Sequence, residues 1–141
     1  MKAYTDLEQA KILAKMLPLE SADMEYMFLK RDGSKVSYVP FVKGGFEHPE
    51  CCYCFIPCWS LAALLTTLPN EIITDKRYEC HYQIDIRKYD DVDKTTRYQI
   101  GYGNNRGLSS SWHDMINTGE KENLIDCCVQ MLIELKEINF I

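Results

Sequence analysis

The sequence predicts an α+β fold: an antiparallel sheet of two hairpins with about three helices, in the order α-β-β-α-β-β-α. Two observations carry this expectation. Apolar and polar residues alternate with the period of a half-buried strand in two paired runs, and three apolar stretches open on residues able to cap a helix. With 141 residues, 46% of them hydrophobic, the chain has the size of one domain over residues 1–141 and can bury roughly two thirds of its unfolded surface. It shows neither an internal repeat nor a low-complexity run.

The first helix is expected to start at Thr5, because Thr5-Asp6-Leu7-Glu8 has capping-box spacing. Leu7, Ala10, Leu13, Ala14 and Leu17 then share one face, and Pro18 stops the run. Met24 to Lys30 and Lys35 to Val42 read as strands around Arg31-Asp32-Gly33-Ser34, where Asp-Gly suits a tight turn, and Pro40 belongs at a sheet edge or a strand end. Lys43 to Glu50 reads as a loop. A short, mostly apolar helix should run from Ser60, its N-cap, to Leu68 before Pro69, with Trp59 stapled to Leu64.

The second hairpin gives the clearest alternation. Tyr78, Cys80, Tyr82, Ile84 and Ile86 alternate with charged and polar residues, and Tyr98, Ile100 and Tyr102 do so on the partner strand, with Asp90 to Lys94 as the turn. Gly101 to Ser111 reads as a surface loop, with Trp112 anchoring it and His113 and Asp114 exposed or capping a turn. The last helix should run from Asn123 to about Glu137. Its polar stripe, Asp126, Gln130, Glu134 and Glu137, is narrow, so the helix is expected to be central or covered by a second subunit.

A formal net charge of −5, from 21 acidic and 16 basic residues, argues against affinity gained by neutralising phosphates, and nucleic-acid binding is not expected. Arg87, Lys88, Lys94 and Arg97 are interleaved with Asp85, Asp90, Asp91 and Asp93, so they read as a solvated hairpin. The first residues lack the apolar core of a signal peptide, and no segment approaches the ~20 apolar residues of a membrane span. Cytoplasmic residence is the expectation. Seven cysteines, an odd number with two adjacent pairs, then favour reduced thiols over disulfides.

Three constellations could carry chemistry. Cys58 at a helix entrance, with His81 as base and Gln99 or Asp85 orienting it, would make a thiol hydrolase. The Cys58-Trp59 pair resembles the start of papain-type thiol hydrolases over a few residues, but the upstream Gln that would supply an oxyanion donor is missing; only Glu47 and Glu50 stand there. His48, Cys51, Cys52, Cys54 and Cys58 could hold zinc, yet no second knuckle with spacing to match this cluster appears downstream, and neither a metal nor another cofactor is expected. Adjacent His113 and Asp114 read as exposed neighbours rather than as a dyad. Gly101, Gly103 and Gly107 lack the strand-then-helix context of a phosphate loop.

Leu17 to Met24, Pro57 to Leu61 through Leu68-Pro69, and Asn123 to Val129 resemble small uncharacterised proteins of gut Bacteroidales and their phages or mobile elements. That resemblance implies a cytoplasmic accessory protein and carries no catalytic residues with it. The expectation is a non-enzymatic domain that binds another protein, or itself as a homodimer through the C-terminal helix. The thiol hydrolase and a zinc-stabilised domain are the alternatives.

Overall fold

The computed structural model describes residues 2–31, 35–43, 55–74, 80–105 and 112–141. The fold is α+β with antiparallel sheets, as the patterning predicts. The two hairpins lie in separate sheets, however, and the chain divides into two compact units, residues 2–67 and 68–141.

In the first unit, helix α1 spans Leu7–Leu13. Its cap is Asp6, one residue later than expected: Asp6 Oδ1 accepts from Gln9 N at 2.9 Å and Gln9 Oε1 accepts from Asp6 N at 3.1 Å. Thr5 is unavailable for capping because it is fully buried, with its N–H donated to Trp59 O (2.9 Å) and its hydroxyl accepting from Trp59 N (3.2 Å). Beyond α1, Leu17 stays buried through a looser turn closed by Leu17 N to Leu13 O. A 3₁₀ turn, Leu19–Ser21, follows.

Strands β1 (Met24–Arg31) and β2 (Lys35–Val42) form the expected hairpin, its Asp32-Gly33 turn lying outside the described residues. Pro40 is on the edge strand β2, where its missing N–H removes no bond from an inner ladder. An unexpected strand, β3 (Phe55–Cys58), pairs with the other side of β1, Met24 opposite Cys58. Cys58 therefore ends a strand and does not enter a helix. Helix α2 (Leu61–Thr67) follows, capped by Ser60, whose Oγ accepts from Ala63 N at 3.2 Å. Asp23 steadies that cap by accepting from both Ser60 N and Ser60 Oγ. Ala10, Tyr26 and Cys58 form a buried cluster, with Leu7, Met24 and Ile56 packed on it.

In the second unit, strands β4 (Glu71–Thr74), β5 (Cys80–Asp90), β6 (Thr96–Asn105) and β7 (Trp112–Asn117) lie in that order, all antiparallel. Two of these correct the sequence reading. β4 was not foreseen, and Trp112–Asp114 belong to a strand rather than to a loop. Helix α3, Leu124–Glu137, begins where predicted: Asn123 Oδ1 accepts from Asp126 N at 2.9 Å. It lies against β6, where Tyr98, Ile100 and Tyr102 are buried. Ile125, Cys128, Met131, Leu132 and Leu135 on α3 are all fully buried within the single chain. The excess of apolar positions on that helix thus needs no second subunit.

Gly101 and Gly103 extend β6 instead of loosening it. A methyl group at Gly103 would overlap the Trp112 indole nitrogen and the His113 carbonyl oxygen, while one at Gly101 would meet Asp114 Oδ1 at 3.1 Å. Replacing Gly103→Ala should therefore cost about 1–3 kcal/mol, as overpacking does. Urea denaturation measures this, and an unchanged midpoint would show that β7 does not lie this close to β6.

Candidate functional site

The described side chains with the densest polar chemistry sit on one face of the four-stranded sheet. β5 contributes Asp85 and Arg87, β6 contributes Gln99 opposite Arg87, and β7 contributes Trp112, Asp114 and Asn117. Strict alternation would not gather them. Asn117 pairs with Gly101, so an unbroken register would place Met115 opposite Gly103; a bulge after Tyr102 brings Asp114 there instead. One extra residue in β7 rephases the strand and turns Asp114 toward Arg87.

Arg87 reaches across glycine-bearing β6 to make a two-pronged pair with Asp114, Nη2 to Oδ1 at 2.7 Å and Nη1 to Oδ2 at 2.9 Å. Its Nε donates to Asp85 and Nη1 also donates to Gln99 at 3.2 Å. Four of its five N–H groups are used in this way. Asp114 is more fully committed: Oδ1 also accepts from Trp112 Nε1 at 2.8 Å and Oδ2 from Asn117 Nδ2 at 3.4 Å. The Arg87 hydrogen bonds hold the Asp114 carboxyl below the usual carboxylate range, with the Trp112 and Asn117 bonds adding to the effect against some desolvation. A carboxylate with its lone pairs occupied is a poor proton acceptor, and a guanidinium this occupied has little to offer an anion. The cluster is a rigid clamp from β5 to β7. Trp112 remains 37% exposed on it. Beside the clamp, a cavity of about 430 Å³ is lined, among the described residues, by Tyr82, His113, Asp114 and Met115.

The sequence-predicted residues fare differently. Cys58 is fully buried, 3.5 Å from Thr5 Oγ1 and 3.7 Å from Thr5 O, the carbonyl that also accepts from Tyr26 OH at 2.7 Å. Burial pushes its thiol pKa up, with the Thr5 hydroxyl opposing; a nucleophile needs the reverse. His81, in the other unit, pairs its Nδ1 with Glu71 Oε1 at 2.8 Å on the exposed surface. Gln99 binds Arg87 and Asn117, and Asp85 binds Arg87. His48, Cys51, Cys52 and Cys54 lie outside the described residues, among which no group of three His, Cys, Asp or Glu residues is placed to hold a metal.

The Arg87–Asp114 clamp was missed because Arg87 reads as one of several interleaved charges and Asp114 as a loop residue. The available signal was Gly-x-Gly in β6 with Trp-x-Asp downstream: two positions without a side chain where an indole and a carboxylate can lie flat. No family model matches the chain, and neither curated proteins nor solved structures give a significant match.

The depressed Asp114 pKa fixes the sign of a pH effect. A carboxylate held below its unfolded value adds stability above that value and loses it as pH falls through the folded one. Asp114→Asn should therefore be less stable than the native chain by about 1.5–3 kcal/mol at neutral pH, the scale of charged hydrogen bonds. That gap should close in acid. Urea denaturation across pH reads it, and a gap independent of pH would contradict the ionised clamp.

Proposed function

We propose that the chain is a non-enzymatic accessory domain of the cytoplasm that acts by binding another protein, through the sheet face bearing Trp112. The observation that carries this reading is a half-exposed tryptophan held by a hydrogen bond to a saturated ion-pair cluster on a sheet. Rigid Trp, Tyr and Arg side chains dominate binding energy at protein interfaces because they bury much area while losing little conformational freedom. The formal charge of −5 favours a neutral or basic partner surface and weighs against nucleic acid. Among the described residues no helix is long and apolar enough to cross a membrane. The packed Cys58 thiol supports binding over hydrolysis.

The test begins with capture of a partner from the native host and reconstitution with purified components. Trp112→Ala should weaken that complex about 30-fold, the equivalent of a 2 kcal/mol interface hot spot. Thiol alkylation of the folded chain should leave it unchanged. Equal binding by Trp112→Ala would reject this surface, and hydrolysis that disappears in Cys58→Ala would reject the non-enzymatic reading.

A further inference from the structure

β5 is longer than its neighbour on one side. β4 covers it only from Cys80 to Gln83, and Ile84 N donates to Asn70 O at 3.1 Å just beyond. Backbone groups of alternate residues point to the same side of an antiparallel strand. The N–H and C=O groups of Ile86, Lys88 and Asp90 therefore point the same way as those of Ile84, away from β6, and no described strand pairs with them. Ile86 is 44% exposed on this edge, and Val92 in the turn after it is 97% exposed.

We propose that this edge pairs with the same edge of a second copy, joining two four-stranded sheets through an antiparallel β5–β5 contact. The register follows from the open groups. A two-fold axis through Lys88 sets Ile86 against Asp90 of the second copy, Lys88 against Lys88, and Asp90 against Ile86, so each open N–H and C=O finds a partner. Shifting the axis toward Ile86 would draw Ile84 into the ladder, and its N–H already belongs to Asn70. The symmetric register also complements itself in side chains. Asp90 of each copy lies diagonally beside the other's Lys88 and offsets the contact between the two lysines, Arg87 faces Tyr89, and Val92 is carried toward exposed Ile86. A foreign strand would have to supply all of these matches; a second copy supplies them by symmetry. This inference does not depend on the Trp112 surface.

Sedimentation of the purified chain at high micromolar concentration should give twice the chain mass. Lys88→Pro removes only an outward N–H, a change an edge strand tolerates, and should give a folded monomer by circular dichroism. Independently of that variant's folding, Lys88→Cys should form an intermolecular disulfide under mild oxidation, because opposed bonded residues sit about 5.5 Å apart at Cα. Ile86→Cys should cross-link no faster than the native chain. A monomeric native chain, a dimer that survives in folded Lys88→Pro, or cross-linking of Ile86→Cys as fast as Lys88→Cys would each overturn the proposal.

Discussion

The second unit depends on one contact, the two-pronged pair between Arg87 on β5 and Asp114 on β7, made across a strand that lies between them. Three local features must coincide for it to form. Gly101 and Gly103 keep the middle strand low, the bulge after Tyr102 turns Asp114 onto the correct face, and Asp85 and Gln99 hold the guanidinium in position. With Arg87 31% and Asp114 17% exposed, the pair is partly shielded, so its geometry matters more than that of an ordinary surface salt bridge. The same clamp fixes Trp112, and so links the backbone of β6 to the surface proposed to bind.

In the first unit the organising contact is neutral. Thr5 offers its N–H and hydroxyl to the backbone of Trp59 and its carbonyl to Tyr26, which draws the segment before α1 onto the end of β3. Cys58 fills the space left beside that contact. A small, polarizable thiol with a weak donor suits such a place, and burial keeps it protonated. What reads in sequence as a nucleophile at a helix entrance is a packing residue at the end of a strand.

The legible parts of the fold were those governed by neighbours in sequence. Asn123 and Ser60 cap helices because the donors they satisfy lie three residues on, and β6 alternates because one face meets α3. The missed parts depend on distant residues. β3 and β4 are four-residue strands, too short for alternation to register, and β3 carries Pro57. Thr5 has the chemistry of a cap but is claimed by Trp59, and the cap moves to Asp6. Gly101 and Gly103 resemble a loop because their purpose lies in a Trp and an Asp on another strand. The candidate site was least legible for the same reason: its members become neighbours only once the register and its bulge are set.

The most direct measurement is a double-mutant cycle between Arg87 and Asp114, using Arg87→Gln, Asp114→Asn and the pair, read by urea denaturation at neutral pH. The clamp predicts a coupling above about 1 kcal/mol, beyond what exposed ion pairs reach and within the range of contacting residues. Additive effects, with coupling near zero, would show that the pair does not hold β5 and β7 together.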